Sequence, residues 1–152
     1  MIVKATALDA QLLTSIAIES KSFWGYSSEL LRSWKADLTV TKTMIENLHC
    51  FKVLNHEETV GFYILNKPKN KNVELEFLFV KPNFIGKGFG NQLLQHAIFK
   101  SITLNVKTIT LLADPNAEAF YKSKGFVVIN QKESSVNNRF LPVMKLDLTD
   151  HF

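Results

Sequence analysis

The chain has 152 residues, of which 46% are hydrophobic and 21% are charged, and such a length and composition are typical of one compact globular domain. Its apolar runs, such as Phe77 to Val80, are far shorter than the ~20 residues that a membrane-spanning helix requires. The net charge of +4 comes from scattered lysines without interleaved aromatic residues, which argues against a nucleic-acid surface. We therefore expect a single domain over residues 1–152 that binds neither membrane nor nucleic acid.

Cysteine and histidine usage excludes further classes of protein. Cys50 is the only cysteine, which excludes an internal disulfide and a cysteine-based zinc site, and we interpret it as a core residue rather than a nucleophile. The four histidines show no metal-ligand spacing, so we predict no metal. Because Met1 to Thr6 lacks a basic segment followed by an apolar one, we predict no secretion signal and a cytoplasmic location.

The first part of the chain predicts a short strand followed by two helices. Ile2 to Ala5 favours a strand, and Thr6 to Asp9 resembles a capping box that opens a helix. A second helix is predicted to begin near Ser27 or Ser28. The apolar spacing places two sets of residues inward: Leu8, Leu12, Leu13 and Ile16 in the first helix, and Leu30, Leu31, Trp34 and Leu38 in the second.

The rest of the chain predicts strands that alternate with helices. A hairpin is expected first, and the predicted strands are Phe51 to Leu54, Val60 to Leu65, Val73 to Val80, Lys107 to Leu112, Phe126 to Asn130 and Phe140 to Leu148. One helix follows a glycine-rich turn and ends near Lys100, with Leu94, Ala97, Ile98 and Ser101 on its inner face. The basic run Lys67 to Lys71 is interpreted as a solvated hairpin tip.

The glycine-rich turn before this helix predicts a phosphate site. Gly86, Gly88 and Gly90 alternate there, and glycine readily adopts the positive φ that brings amide N–H groups close to an anion. The positive end of the following helix favours negative charge at the same point. A P-loop and a dinucleotide fingerprint are excluded, because each, counted from Gly86, requires a glycine where Asn91 stands. An ordinary tight connection is the alternative interpretation of this turn taken alone.

The alternation of glycines after a proline resembles the coenzyme A loop of the GNAT superfamily of N-acetyltransferases. That loop usually has Gln or Arg, two residues, Gly, one residue, then Gly or Ala; here Gly88 and Gly90 supply the last two, and Ile85 stands at the Gln/Arg position. The resemblance implies that backbone N–H groups hold the pyrophosphate of acetyl-CoA, with one side-chain contact missing. The implied cofactor-binding residues of the loop are Ile85, Gly86, Lys87, Gly88, Phe89, Gly90 and Asn91.

The segment from Asn116 to Phe126 is similar to a second GNAT signature, Asn-x-x-Ala-x-x-Phe-Tyr-x-x-x-Gly-Phe. The pairs Phe120-Tyr121 and Gly125-Phe126 match in order and spacing. Asp114 occupies the family's asparagine position and Asn116 lies two residues later, so either residue is implied to hold the pantetheine amide. The segment also predicts a short helix, which Asn116 caps at its start and Gly125 closes at its end.

This order of elements resembles the GNAT fold over nearly the whole chain. The resemblance implies an α/β (α+β) fold in which about four helices flank a mixed, mostly antiparallel sheet of six to seven strands, split into a V at the fourth and fifth strands. It also implies that backbone N–H groups at the end of the fourth strand bind the pantetheine and polarise the acetyl carbonyl. These groups belong to Leu78, Phe79 and Val80.

Direct acetyl transfer to an amine requires a base for the ammonium group and an acid for the departing thiolate. Glu74 and Glu76 lie on one face of a predicted strand and are candidates for the base, with a water relay or a solvent-facing role as alternatives. The resemblance implies that Tyr121 donates its phenolic proton to the sulfur of coenzyme A. With a pKa of about 10, a tyrosine is protonated at neutral pH, as this role requires.

The acceptor amine is less well defined by the sequence. Phe23, Trp24 and Tyr26 fall in the region that lines the acceptor side in many GNAT enzymes, and such a cluster binds a cation or an apolar stem, or else lines the core. Arg139 is placed to face a substrate carboxylate or to lie in a solvated loop. We expect a small-molecule or peptide amine, with a homodimer as a further possibility. An acetyl-CoA sensor or an interaction module without turnover is the alternative function.

Overall fold

The computed structural model of the chain describes residues 1–134 and 139–151. The chain forms two compact units. The first unit comprises Met1–Leu65 and Phe77–Ala97, and the second comprises Asn66–Glu76 and Ile98–Phe152. In the described residues, no helix is long and apolar enough to cross a membrane.

Seven strands form a mixed sheet in the order β1-β2-β3-β4-β5-β7-β6, with β4 parallel to β5. The recorded pairs β1–β2, β2–β3, β5–β7 and β6–β7 are antiparallel, which confirms the predicted mixed, mostly antiparallel α/β fold. The strands are β1 Ile2–Lys4, β2 His49–Asn55, β3 Glu58–Leu65, β4 Asn72–Val80, β5 Thr108–Leu112, β6 Val127–Glu133 and β7 Phe140–Asp147.

Six α-helices are present in the described residues, two more than expected. They are α1 Ala10–Ser22, α2 Ser28–Ser33, α3 Lys35–Leu38, α4 Lys42–Asn47, α5 Phe89–Thr103 and α6 Glu118–Ser123. The predicted second helix is divided into α2 and α3 at Trp34, which has φ −92° and ψ 0°. Trp34 and Leu38 are buried as predicted, and α4, which contributes Ile45 to the core, was not predicted.

The start of the first helix differs from the prediction. Ala7–Asp9 form a 3-10 turn, and the Thr6 N–H donates to the Asp9 carboxylate at 2.9 Å. Because this turn precedes the α-helix, the helical periodicity begins only at Ala10, and Leu8 is 91% exposed. The prediction that Leu8 and Leu12 face inward was therefore wrong, whereas Leu13 is buried.

The core of the first unit lies on β3 and the inner faces of α1 and α5. Every residue from Thr59 to Leu65 is buried, as are Ile16 of α1 and Leu94 and Ala97 of α5. Such a continuous apolar strand is typical of a strand covered on both faces. The hairpin predicted from β2 and β3 is confirmed by the pairing of Asn55 with Glu58.

The second unit packs β5 and β7 against short helical segments. Ile109 and Leu111 of β5 and Met144 of β7 are buried, as are Ile98 and Ser101 at the end of α5. The register of β5 with β7 runs from Thr108↔Asp147 to Leu112↔Val143. At the other end of the unit, residues 67–71 are exposed, as expected for a solvated hairpin tip.

Candidate functional site

The glycine-rich turn of the first unit connects β4 to α5. A 3-10 turn over Pro82–Phe84 follows the strand, and Gly86 and Gly88 then adopt φ angles of +82° and +90°. L-amino acids with side chains rarely adopt this region, so the two glycines are required by the backbone conformation itself. Gly90, which was also predicted to adopt positive φ, lies instead in the first turn of α5.

The space around the two loop glycines is open. A Cβ atom built on Gly86 or Gly88 would meet no atom of the described residues within 4 Å, so packing against them does not exclude a side chain there. The carbonyl of Gly88 accepts from Gln92, while the N–H groups of the first helical turn have no intrahelical partner. A cradle of amide donors at a helix N-terminus fits a phosphate group.

The side chains around this cradle are basic and aromatic. Lys87 is exposed, and its ammonium group lies 5.5 Å from the centroid of the Phe84 ring. The Phe84 ring contacts the Phe89 ring edge-on, with centroids 5.8 Å apart. Ile85, at the position where the family has Gln or Arg, is half-buried in extended backbone conformation. The exposed charge of Lys87 is thus the basic side chain that the loop itself offers to an anion.

Backbone hydrogen bonds hold both ends of β4. In the second unit the Asn66 N–H donates to the Glu74 carbonyl at 2.9 Å, and in the first unit the Lys81 N–H donates to the Val60 carbonyl at 2.8 Å.

The end of β4 in the first unit lies close to a glycine of β3. A Cβ atom on Gly61 would approach the Phe79 carbonyl oxygen to 2.8 Å and the Leu93 side chain to 3.1 Å. Glycine at position 61 therefore permits close approach of the backbone at Phe79, one of the three residues predicted to polarise an acetyl carbonyl. The other two, Leu78 and Val80, are half-buried and 8% exposed respectively.

Tyr121 lies in α6 of the second unit with its ring buried. The ring makes edge-on contacts with Phe120 and Phe126, with centroids 5.2 and 5.5 Å apart. Burial raises the pKa of Tyr121, so its phenol is protonated at neutral pH. Within residues 1–134 and 139–151 no fully buried side-chain oxygen or nitrogen lacks a hydrogen-bond partner.

Glu74 and Glu76 lie on the same face of β4, as predicted. The side-chain amide of Asn66 donates to Glu74 Oε1 at 2.8 Å and to Glu76 Oε2 at 2.5 Å. Burial and the neighbouring charge of Glu76 raise the pKa of Glu74, whereas Asn66 and Lys132 lower it. A carboxylate whose pKa is raised is a stronger base than an ordinary glutamate.

The Asp114 side chain contacts both Asn116 and Arg139 in the second unit. The Asp114 carboxylate accepts from the backbone N–H and the side-chain amide of Asn116, each at 2.9 Å. Arg139 Nη2 lies 3.4 Å from Asp114 Oδ2, and both side chains are largely buried. The predicted cap at Asn116 was wrong, because Asp114 caps this turn instead. Gly125, with φ +96°, closes α6 as predicted.

The aromatic residues on either side of α2 form one exposed pair and one pair that packs together with a lysine. Phe23 and Trp24 are 50% and 42% exposed and contact each other edge-on. Tyr26 packs edge-on against Trp34 with centroids 4.9 Å apart, and the Lys21 ammonium lies 5.5 and 5.1 Å from the centroids of these two rings. Phe23 and Trp24 therefore offer the larger apolar surface to an acceptor.

Asn66 and Lys21 contact predicted site residues but were not themselves predicted. Asn66 is separated from both glutamates by the hairpin tip, so no sequence motif links it to them. Lys21 lies in α1, whereas Tyr26 and Trp34 follow that helix in the chain, and no spacing in the sequence predicts a cation–π contact among them. In the described ranges, no group of three or more His, Cys, Asp or Glu residues could hold a metal ion.

The family of the chain follows from comparison with known proteins. The family model described as acetyltransferase (GNAT) domain matches residues 25–148. The chain belongs to the GNAT acetyltransferase family. Members of this acyltransferase family take the acetyl group from acetyl-CoA, which agrees with the open glycine cradle described above.

Two curated relatives show how far the similarity extends. Peptidyl-lysine N-acetyltransferase YjaB of Salmonella typhimurium is 30% identical over 96 residues, covering 62% of this chain and 60% of the relative. The uncharacterized N-acetyltransferase YvbK of Bacillus subtilis is 34% identical over 67 residues, covering 44% of this chain and 43% of the relative. The chain thus spans about half the length of the curated relatives it matches.

Solved structures confirm the fold. PaiA N-acetyltransferase from Thermoplasma acidophilum, in complex with coenzyme A, has a TM-score of 0.78 at 21% identity, covering 97% of this chain and 98% of that one. A GCN5-related N-acetyltransferase structure from Rhodopseudomonas palustris has a TM-score of 0.80 at 19% identity, covering 97% and 95%. At these identities the likeness establishes the GNAT fold alone.

Proposed function

We propose that the protein is an acetyl-CoA-dependent N-acetyltransferase that moves an acetyl group directly to a primary amine. The observation that carries this proposal is the open glycine cradle at the start of α5. Gly86 and Gly88 hold a backbone conformation that is unfavourable for other residues, and no atom of the described part of the chain lies within 4 Å of a Cβ atom built on either. Family membership over residues 25–148 supports the same ligand.

The loop residues would hold the pyrophosphate of acetyl-CoA. Amide N–H groups from Gly86 to Asn91 are the donors, the α5 terminus contributes its positive end, and Lys87 adds a cation. Either Asp114 or Asn116 would contact the pantetheine arm.

Acetyl-CoA supplies the acetyl group as a thioester, and the chain supplies the proton transfers. Glu74 takes a proton from the acceptor ammonium, which releases the amine lone pair for the new C–N bond. Backbone N–H groups at Leu78 to Val80 stabilise negative charge on the carbonyl oxygen, an effect often worth about 3 kcal/mol of barrier. Tyr121 donates its phenolic proton to the sulfur as the C–S bond breaks, the acylated nitrogen releases its second proton to solvent, and solvent returns a proton to Tyr121.

The acceptor is proposed only by chemical class. A primary amine agrees with the acidic pair Glu74 and Glu76 on an exposed strand face, and with the exposed rings of Phe23 and Trp24. We assign Arg139 a structural role in its ion pair with Asp114, rather than a role in binding a substrate carboxylate. A single domain, a cytoplasmic location, a possible homodimer and the absence of nucleic-acid binding remain predictions.

A panel of amines tests this function. Purified protein is incubated with acetyl-CoA and small primary amines, amino acids or a lysine peptide, and thiol release is compared with the mass of the acetylated product. We expect one class to give product and the Tyr121→Phe variant to lower kcat by about 10²-fold with unchanged acetyl-CoA affinity. Binding without any product would favour a sensor, and an unchanged kcat would exclude Tyr121 as the acid.

A further inference from the structure

We propose that Asn66 is a positioning residue that orients Glu74 for proton abstraction by holding it together with Glu76. This proposal rests on the proposed function, since it names the residue that prepares its base. No motif of the sequence points to Asn66. The assignment comes from the two hydrogen bonds that its side-chain amide makes within the second unit.

The position of the Asn66 side chain is fixed by its own backbone. The Asn66 N–H donates to the Glu74 carbonyl at 2.9 Å, so the residue is anchored beside the strand that carries both glutamates. Its side-chain nitrogen then lies 2.8 Å from Glu74 Oε1 and 2.5 Å from Glu76 Oε2. An amide nitrogen carries two hydrogens, and this arrangement uses one for each carboxyl group.

Two carboxylates on one strand face repel each other and would separate if nothing joined them. Residues two apart on a strand point to the same side, so Glu74 and Glu76 are neighbours with like charge. Glu74 and Glu76 also hydrogen-bond each other, which raises the pKa of Glu74, and the neutral Asn66 amide donates to both side chains. It restricts their side-chain rotation at the point where a base must meet its substrate within hydrogen-bond distance.

Other charged groups near Glu74 lie on neighbouring strands. Lys132 of β6 lowers the pKa of Glu74 by its charge. Lys145 of β7 lies in the same cross-strand row, because Glu74 pairs with Thr110 and Thr110 pairs with Lys145. Neither lysine forms a hydrogen bond or ion pair with Glu74 in the described residues, so the direct partners of this carboxyl group there are Asn66 and the side chain of Glu76.

Asn66 and Glu76 act on Glu74 in opposite directions. The charge of Glu76 raises the pKa of Glu74, and the hydrogen bond from Asn66 lowers it. Removing Asn66 should therefore raise the pKa of Glu74 further, whereas Glu76→Gln should lower it. A residue with only a structural role would not produce this pair of opposite shifts.

The first measurement does not require the protein to be enzymatically active. Carboxyl pKa values are measured by carbon-13 NMR titration of protein labelled at glutamate, in the wild type and in the Asn66→Ala, Asn66→Gln and Glu76→Gln variants. We expect an upward shift for Asn66→Ala, a smaller one for Asn66→Gln, and a downward shift for Glu76→Gln. Equal values in the wild type and Asn66→Ala would overturn the proposal.

Asn72→Ala is the matched control. The Asn72 amide donates to the Thr110 hydroxyl at 2.9 Å, and its carbonyl oxygen accepts from Thr108 at 2.7 Å, so the variant removes two side-chain hydrogen bonds of the same kind. It leaves the carboxyl pair untouched. We expect the pKa of Glu74 to stay at its wild-type value, and a shift as large as that of Asn66→Ala would assign the effect to general loosening of the sheet.

The second readout is the pH profile of kcat/KM with the acceptor found in the amine panel. Because the base must be deprotonated, Asn66→Ala should move the acidic limb to higher pH and lower kcat/KM there by up to about 10²-fold, the low end of what a general base contributes. Affinity for acetyl-CoA should not change. A uniform loss at every pH would contradict the positioning role. If no amine reacts, the proposed function fails, while the NMR titration still decides whether Asn66 controls Glu74.

Discussion

The glycine loop of the first unit and the Asp114 cluster of the second unit are built in opposite ways. At Gly86 and Gly88 the backbone alone forms the feature, and the absence of side chains leaves open space. The Asp114 cluster is instead formed by side chains, because the Asp114 carboxylate accepts a hydrogen bond from Asn116 and forms an ion pair with Arg139. The glycine loop therefore leaves space for a ligand, whereas the contacts of the Asp114 cluster mainly stabilise the turn before α6.

The largest effect on stability is expected where the first unit has no room for a side chain. Gly61→Ala would place a Cβ atom 2.8 Å from the Phe79 carbonyl oxygen, so β4 must shift. Overpacking of this kind typically costs about 1–3 kcal/mol. We expect a lower free energy of unfolding in urea and a lower rate of acetyl transfer, because Phe79 lies among the proposed carbonyl-polarising residues. Wild-type stability and rate would refute the close approach of the two strands.

In the second unit the sensitive change is the removal of a side chain. Asp114→Ala eliminates the cap of the turn before α6 and leaves Arg139 without its carboxylate. Hydrogen bonds to charged groups contribute about 1.5–3 kcal/mol, and the Asp114→Ala/Arg139→Ala double variant should lose less than the sum of the single ones. Thermal unfolding of all four proteins measures this coupling. If Arg139→Ala instead raised KM for the amine without a change in stability, Arg139 would be a substrate ligand.

Glu74→Gln separates stability from catalysis. Burial and Glu76 raise the pKa of Glu74 above that of the unfolded chain, so folding favours the protonated form, and this contribution is lost as pH rises through the folded-state pKa. Glutamine cannot ionise. We therefore expect a Tm increase of no more than about 2–4 °C near pH 8 and almost none near pH 4, together with loss of base catalysis. A lower Tm near pH 8 would contradict the sign of this linkage.

The smallest effect is expected at Cys50. Its side chain is buried in β2, and burial raises its pKa to about 12, so the reactive thiolate is scarce at neutral pH. A thiol reagent should modify Cys50 only after denaturant is added, and Cys50→Ala should keep the wild-type acetyl-transfer rate. Rapid modification of the folded protein would show that this part of the core opens.

The glycine loop could be predicted from the sequence because its signal is contiguous. Strand, turn glycines and helix start lie within one short segment, and positive φ is a local property of Gly86 and Gly88. Gly90 shows the limit of this reasoning, since the same residue type is also accommodated in the first turn of a helix. Tyr121 was likewise singled out by a contiguous motif, and its ring is buried in the second unit; its role as the proton donor stays a prediction.

Contacts between distant residues could not be predicted. Asn66 meets Glu74 and Glu76 only because a hairpin returns the chain, and Arg139 meets Asp114 across the pairing of β5 with β7. The orientation of Leu8 depended on whether the first helical turn is 3-10 or α, a choice that apolar spacing does not determine. Tertiary packing decides such features, and it changes which side chains remain available to a ligand.

The most direct test of the account is calorimetric titration of the protein with acetyl-CoA, repeated with Gly88→Asp. That variant forces a side chain into positive φ and adds a negative charge to the cradle, and we expect affinity to fall by at least about 10²-fold, equivalent to about 2.7 kcal/mol. Circular dichroism confirms that the variant is folded. Micromolar binding by the wild type that is lost in Gly88→Asp would locate the coenzyme at this loop, whereas equal binding by both proteins, or none by the wild type, would contradict the proposed site.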